Sequence, residues 1–573
     1  MNKYGIYHIT EAPYAYAVDE NSLNLKIRTV KEDIKKVIVY YKDKYVNNEG
    51  YREKEMTLTC ESKLYSFYEC EIQVYRNRYA YYFKLIDNDN AEVYLNERGL
   101  QKNLDNKEKY PFSFPFIPKE DVYEDVKWIQ DSVVYQIFPD RFCNGDKSIN
   151  LEGTLPWGEG ELTHKNIYGG DLQGIIDKLD YLEDLGIDLV YVTPVFKSNT
   201  PHKYNTEDYF NIDPQFGTVE LAKKLVKKCH EKGMKVVFDA VFNHSGDNFF
   251  AFKDILEKQE KSKYIDWYFI DKFPVSLKEG GYYTFAVNQR NMPKFNTNNR
   301  EVREYLYKVG EYWIKEVGID GWRLDVCDEV SHEFWRGFRK RIKSINKDAI
   351  IVGEIMNEGA PFLKGDQLDG IMNYTFKDAV TDFFGSKTID STEFSDLLAN
   401  NRMIYMNSVV RQLWNLIDSH DTKRFLTECN DNMDFMKLAV GFQFTYLGIP
   451  YIYYGDEVGM NGGSDPQNRK CMVWDKEDQN LELFDYYKKL IKMRKKYKEL
   501  VYGRYTEKYC KDNVIAFTRT FEDNKITVVI NNNECDKEIP MQLKGIELLT
   551  DKKVDCKEKI KMKAASIIIV KEN

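Results

Sequence analysis

The chain has 573 residues, of which 83 are Lys or Arg and 92 Asp or Glu, and 43% are hydrophobic. That is the balance of a globular protein long enough for several cores, and a formal charge of −9 argues against a broad nucleic-acid surface. No run approaches the roughly 18 apolar residues of a membrane span. The opening MNKYGIYHITEAPYAY lacks the apolar core of a secretory leader, and the ten cysteines are dispersed without a CxxC pair. The expectation is therefore a cytoplasmic protein with reduced thiols, without a disulfide framework or a structural zinc site.

Residues 1–122 contain short alternating runs, LNLKIRTV, KKVIVYY and YAYYFKLI, separated by the polar turns NNEG and DNDN. This is the pattern of an antiparallel β-sandwich. FIPKEDVYEDV reads as a linker. From Asp131 short apolar runs alternate with long amphipathic ones. The predicted strands are SVVYQIF, IDLVYVTPVF, KVVFDAVF, DGWRLDV, AIIVGEI, GIMNY, QLWNLID and IPYIYY. Helices are predicted over LQGIIDKLDYLEDLG, VELAKKLVKKCHEKG, REVREYLYKVGEYWIKEVG, HEFWRGFRKRIKSIN and MDFMKLAVGFQFTYLG. Eight strands alternating with helices imply an α/β (β/α)8 TIM barrel, assigned to 123–244 and 299–501. The stretch 245–298 is too long for a connection and reads as a small inserted domain after strand 3. The basic helix ELFDYYKKLIKMRKKYKEL reads as a solvated face. Beyond 502, VIAFTRTF, KITVVINN and ASIIIV mark a second small β-domain over 502–573, so antiparallel sandwiches flank the barrel.

In such a barrel, polar residues at the C-terminal ends of strands carry chemistry. KVVFDAVFNH places Asp239, Asn243 and His244 there. GWRLDV places Arg323 and Asp325 two apart, so both side chains share one face of a strand. VGE ends in Glu354 and LWNLIDSHD in His420 and Asp421. Several carboxylates at one mouth suit metal binding or glycoside hydrolysis, which needs one ionised and one protonated carboxyl. Arg323 favours the ionised form of Asp325. Glu354 has no basic neighbour in its own motif, and nearby negative charge raises its pKa. Asp325 is therefore expected as nucleophile, Glu354 as general acid/base, and Asp421 as a third carboxylate that grips sugar hydroxyls. His244 and His420 are neutral donors for the same hydroxyls. Each residue alone has a plainer explanation: a structural Arg–Asp pair, a core histidine, a cap. Four polar strand ends in one fold do not.

DAVFNH, GWRLDVCDEV, VGEI and NLIDSHDTKR resemble the four signature regions of glycoside hydrolase family 13, the α-amylase family. MPKFN, YQIFPDRF, YGGDLQGI, HKYNTEDYFNIDPQFG and YLGIPYIYYGDEVGM resemble its neopullulanase, cyclomaltodextrinase and maltogenic amylase subgroup. The resemblance implies a retaining double displacement on α-1,4-glucosidic bonds of cyclodextrins, pullulan and maltooligosaccharides, with transglycosylation as a competing outcome. It implies roughly 5 Å between the Asp325 and Glu354 carboxyls. By the same resemblance Asp325, Glu354 and Asp421 are catalytic, and Tyr204, His244, Arg323, His420, Asp465 and Arg469 bind substrate. A calcium site is implied at Asn144, Asp146, Asn150, Gly169 and Asp171, with oxygen ligands suited to that ion. Ile149 and Asn150 stand where relatives often have Asn-Asp, which weakens it. The plainer reading of that stretch is an Asx-rich turn. The resemblance further implies a carbohydrate-binding-like N-terminal domain that packs on a second subunit in a homodimer, with Tyr45 as a candidate partner-cleft residue; alone, Tyr45 reads as a sandwich-face aromatic.

Against the resemblance there are two departures. Met356 stands where many relatives place an aromatic residue, which bears on the acceptor subsites and so on the balance of hydrolysis and transfer. Phe295 stands where leucine is usual, which is expected to matter little. Two other functions are weighed. One is a 4-α-glucanotransferase on the same scaffold. The other is a non-catalytic glucan-binding protein, disfavoured because all three carboxylates are present. Phosphoryl-transfer and dinucleotide enzymes are disfavoured because neither GxxxxGK[ST] nor GxGxxG occurs.

Overall fold

Ser22–Val30 alternates Leu23, Leu25 and Ile27 into a core shared with Val37, Val39, Tyr81, Phe83 and Leu85. In the computed structural model, which describes residues 1–46, 50–102, 110–119, 122–123 and 125–572, this strand sits in one of two antiparallel sheets that form the N-terminal sandwich. Residues 47–49 of the expected NNEG turn and residues 120, 121 and 124 of the expected linker lie outside the described residues. A period of two sends the polar members of the strand to the opposite face. That face is buried too, because the four-stranded sheet lies on the barrel. Lys26 Nζ donates to the Met403 carbonyl at 3.1 Å and pairs with Glu69 at 3.2 Å, and Asn407 Nδ2 donates to Glu69 Oε2 at 3.0 Å.

Eight parallel strands close the barrel: Val134–Ile137, Leu189–Val192, Lys235–Ala240, Gly321–Leu324, Ile350–Ile355, Gly370–Asn373, Trp414–Asn415 and Ile449–Tyr453. The first pairs with the last through Val134↔Tyr451. Every one lies inside a run read as a strand from sequence. Such strands are buried on both faces, which is why they read as continuous apolar runs.

The five expected helices form. Thr218 and Ser331 cap two of them, accepting from Leu221 N and Phe334 N. The first breaks at Lys178 into Leu172–Asp177 and Leu179–Leu185. Two further helices, Tyr374–Val380 and Ser391–Met403, have no counterpart in the sequence reading. The second buries Ser391, Asn401 and Arg402 beside Phe394 and Leu398, so it carries no clean apolar stripe to read. The basic helix Leu481–Lys496 carries the expected solvated face, with Lys489, Lys492, Lys495 and Lys496 exposed, and departs from it at one residue. Lys488 and Lys495 pair with Asp184 and Asp188 at the surface, both at 2.7 Å. Arg494 turns inward and satisfies the carbonyls of Phe444, Leu500 and Gly448.

Two excursions build the cleft. Between the second and third strands a short hairpin, Phe196–Lys197 with Asp208–Ile212, carries Tyr204. After the third strand the inserted segment holds helix Phe250–Lys258 and closes by isolated bridges such as His244↔Lys294 and Tyr268↔Phe295. Phe295 is buried there, its ring 5.1 Å from that of Tyr268 at 24°. The C-terminal region is a six-stranded antiparallel sheet facing a two-stranded one over a small core of Val514, Val529, Ile539, Leu543 and Ile560.

Candidate active site

The strand ends deliver their carboxylates as the pattern predicts. Arg323 and Asp239 are paired across neighbouring strands in register, and Arg323 Nη1 contacts both Asp239 oxygens at 3.0 and 2.9 Å. The same nitrogen reaches Asp325 Oδ1 at 3.0 Å. Arg323 Nη2 lies 2.6 Å from Glu354 Oε1, in ionic contact without hydrogen-bond alignment. Glu354 Oε2 accepts the Val326 N–H at 3.0 Å. Val326 stands at φ 45°, a strained conformation for a β-branched residue. Asp325 and Glu354 thus converge on one guanidinium from neighbouring strands.

The electrostatic expectation needs correction. Sequence reading gave Arg323 to Asp325 alone; the fold shares it among Asp239, Asp325 and Glu354. Burial, reinforced by the Glu354 charge, raises the Asp325 carboxyl well above the usual range despite Arg323. Burial raises Glu354 as well, opposed by Arg323 and reinforced by Asp421. Burial also lifts Asp239, to about 6, against the pull of Arg323. The Glu354 charge raises Asp325, so the two carboxyls lose their protons in linked steps rather than independently.

A second layer joins Tyr204, His420 and Asp421. Gln136 donates to His420 Nδ1 at 2.7 Å, so the imidazole proton sits on Nε2. Nε2 faces Tyr204 Oη at 2.5 Å and Asp421 Oδ2 at 3.1 Å. The Tyr204 hydroxyl in turn donates to Asp239 Oδ2 at 3.0 Å, and the Tyr204 and His420 rings stack at 5.5 Å and 6°. Tyr191 from the second strand gives Asp239 another bond at 2.6 Å. His244 Nε2 donates to the Tyr204 carbonyl at 3.1 Å. Burial lowers His244 to about 3 and takes His420 well below its ordinary value, so both rings are neutral, as expected. Arg469 Nη2 reaches Asp421 at 3.2 Å and Nη1 reaches Asp465 at 3.3 Å.

These side chains open on a cleft of about 670 Å³, lined by Tyr204, His244, Asp325, Glu354, Asp421, Asp465 and Arg469. Arg323 and His420 are fully buried beneath its floor. All nine residues expected for catalysis and substrate binding thus meet at one place. The cleft also takes in His202, Phe285, Gln289, Asp328 and Met356. His202 lay in the quoted HKYNT motif and its ring faces Tyr204 at 5.9 Å. Gln136 and Tyr191 sit mid-strand, where sequence offers no signal beyond a polar atom in an apolar run.

The residues expected for calcium divide. Asn144 Nδ2 donates to Asn150 Oδ1 at 3.1 Å, and both amides crowd Gly169, whose added Cβ would meet each at 2.5 Å. Gly169 is left-handed, φ 78°. Asn144 Oδ1 is buried with no hydrogen-bond partner. The carboxylates are spent elsewhere. Asp171 caps Leu172–Asp177 and accepts from Gly174, Asp146 and Gly145 N–H groups, and Asp146 accepts from Ser148. Among the described residues no group of three or more His, Cys, Asp or Glu could hold a metal. The set fits calcium in donor type, all oxygen, while its converging members carry no charge.

Comparison with known proteins agrees with the geometry. Residues 136–503 match the family model described as alpha amylase, catalytic domain, and residues 1–118 match the alpha amylase N-terminal ig-like domain. The chain is 47% identical over 535 residues to a cyclomaltodextrinase of Thermoanaerobacter pseudethanolicus, covering 93% of each. It is 43% identical over 536 residues to neopullulanase 2 of Thermoactinomyces vulgaris, covering 92% of this chain and 90% of that one. A solved cyclomaltodextrinase structure superposes with a TM-score of 0.96 at 41% identity over the whole of both chains. With this barrel, this set of carboxylates and these matches, the chain belongs to the α-amylase family of glycoside hydrolases.

Proposed function

We propose that the protein hydrolyses α-1,4-glucosidic bonds of cyclodextrins, pullulan and maltooligosaccharides with retention of configuration. The observation that carries this reading is the convergence of Asp325 and Glu354, both lining the cleft, on one buried Arg323 guanidinium. Asp325 attacks the anomeric carbon while Glu354 gives its proton to the departing glucosidic oxygen. The resulting glycosyl ester on Asp325 is cleaved by water, whose proton returns to Glu354. Asp421 grips hydroxyls of the distorted ring, and Tyr204 offers it an aromatic face. The choice of substrates rests on similarity to proteins named cyclomaltodextrinase and neopullulanase.

Initial rates on β-cyclodextrin, pullulan and soluble starch, with Asp325→Asn as control, test it. A strong preference for cyclodextrin with a dead variant is expected. A preference for starch overturns the substrate assignment, and an active Asp325→Asn overturns the mechanism.

We further infer a homodimer in which the N-terminal sandwich approaches the partner's cleft. Tyr45, 61% exposed and 4.9 Å from the Arg78 guanidinium, is the candidate residue offered to it. Sedimentation velocity reads the assembly directly; a monomer at micromolar concentration refutes it. The proposed compartment is the reducing cytoplasm, supported by ten free cysteines and by a fold in which no described helix is long and apolar enough to cross a membrane. Calcium is proposed as a weakly held structural ion at Asn144, Asn150 and the Gly169 carbonyl, with Asp146 and Asp171 behind them. When bound it would neutralise and pin the loop carrying YGGD. Melting temperature in calcium against chelator tests this, and an unchanged value removes the ion from the account.

A further inference from the structure

The segment after the eighth strand and the segment after the seventh are joined by one side chain. Asn468 is fully buried. Its Nδ2 donates to the carbonyls of His420 at 2.7 Å and Thr422 at 2.8 Å, with the Ser419 carbonyl at 3.5 Å. Three carbonyls within four residues converge on one amide, so the backbone at 419–422 curls around it. Asp421, on that curl, lines the cleft. Arg469 adds a second hold: its Nε donates to the His420 carbonyl at 2.8 Å while Nη2 meets the Asp421 carboxylate.

Asn468 is itself fixed from behind. Its carbonyl accepts from Arg424 Nε at 3.1 Å and from the Tyr453 hydroxyl at 3.3 Å. Arg424 pairs with Asp456 at 3.0 Å and lies over the Tyr453 ring at 4.2 Å. The hold therefore runs back to the end of a barrel strand. The Oδ1 of Asn468 has no hydrogen-bond partner, so the work of this side chain lies in its donor end.

We propose that Asn468 is a positioning residue for His420 and Asp421: its amide gathers the carbonyls of 419–422 and so sets where the Asp421 carboxylate and the His420 imidazole stand. This rests on the reading of Asp421 given above. Only a group with two donors on one atom meets two carbonyls at once. A serine offers one and an aspartate, its carboxylate aimed at three carbonyls, offers none. A displacement of about 1 Å at such a site costs on the order of 10²-fold in rate. The loss falls on kcat, because Asp421 acts on the distorted ring.

The test compares Asn468→Asp, Asn468→Ser and Asp421→Asn on β-cyclodextrin, with kcat and KM measured separately on protein shown to be folded by circular dichroism. The expected result is an Asn468→Asp kcat lower by about 10²-fold, a KM within about threefold, and Asn468→Ser in between. If the aspartate variant fails to fold, the serine variant carries the test through a kcat at least about fivefold down. Wild-type kcat in the folded variants, with Asp421→Asn strongly impaired, overturns the positioning role alone. Wild-type kcat in Asp421→Asn overturns the reading of the site on which the role rests.

Discussion

Arg323 Nη1 stands 3.0 Å from Asp325 Oδ1, yet it is not a private counter-ion: the same nitrogen meets both oxygens of Asp239, and Nη2 meets Glu354. One guanidinium thus holds three buried carboxylates from three adjacent strands. Its planar fork does what a lysine ammonium cannot. Arg323→Lys is expected to lower kcat by about 10²-fold or more. It is also expected to move the acid limb of kcat/KM. Arg323 lowers the Asp325 pKa against burial; weakening that pull raises the pKa, and the ionised nucleophile then appears only at higher pH. The pH profile of kcat/KM in the free enzyme reads this directly. An unmoved acid limb in an impaired enzyme would mean that Arg323 acts on substrate alone.

The alkaline limb answers to a different neighbour. Glu354 must be protonated to serve the leaving oxygen, and the Asp421 charge is one cause that raises its pKa. Asp421→Asn removes that charge. Glu354 then loses its proton at lower pH, and the alkaline limb of the residual activity moves down. Arg323 lowers both carboxyls and Asp421 raises both, so the two variants displace the bell in opposite directions, Arg323→Lys towards higher pH and Asp421→Asn towards lower. An upward or absent shift in Asp421→Asn breaks this account of the pair.

A buried ion pair within the N-terminal sandwich, Lys26 with Glu69, meets the barrel through the Met403 carbonyl and the Asn407 amide. Lys26 is fully buried and joins Glu69 and the Met403 carbonyl. Lys26→Met leaves Glu69 charged in a protein interior. Breaking such a pair from one side typically costs about 3–5 kcal/mol, whereas replacing both partners with apolar residues is often neutral. Lys26→Met is expected to lower the melting temperature of the unit it anchors. Lys26→Met with Glu69→Leu is expected to recover much of it. Thermal unfolding by calorimetry checks the order; a double variant no better than the single one means that the carbonyl contact carries the joint.

The barrel and its carboxylates were legible because each rests on a local rule. A strand buried on both faces reads as an apolar run, and a polar residue at its end stands out, as Asp239, Asp325, Glu354 and Asp421 do. What escaped were features set by contacts distant in sequence. The shared use of Arg323 follows from the register of neighbouring strands. The burial of Lys26 follows from the docking of a second domain, and that of Arg494 from carbonyl ends supplied by other elements. Ser391–Met403 escaped because its polar residues face inward. In each case the side chain obeys its chemistry while the partner that satisfies it is far along the chain.

Met356 stands where the family resemblance leads to the expectation of an aromatic residue. It is 48% exposed, two residues beyond Glu354, and lines the cleft. A thioether on a flexible stem gives an incoming sugar little to stack on, so water competes well for the glycosyl ester. An aromatic face contributes about 0.5–1.5 kcal/mol in a well-formed stack. That is roughly a two- to tenfold change in partition between sugar and water. Met356→Trp is therefore expected to raise the ratio of transfer to hydrolysis products at high maltose by about that factor. Because Met356 lies beyond the Arg323–Glu354 contact, kcat for hydrolysis of short oligosaccharides should change less than the product ratio. Chromatographic quantitation of products over a maltose series gives the ratio and its dependence on acceptor. A ratio unchanged within error, in an enzyme of normal kcat, would place the acceptor sugar elsewhere in the cleft and leave Phe285 and Gln289 as the side chains to vary next.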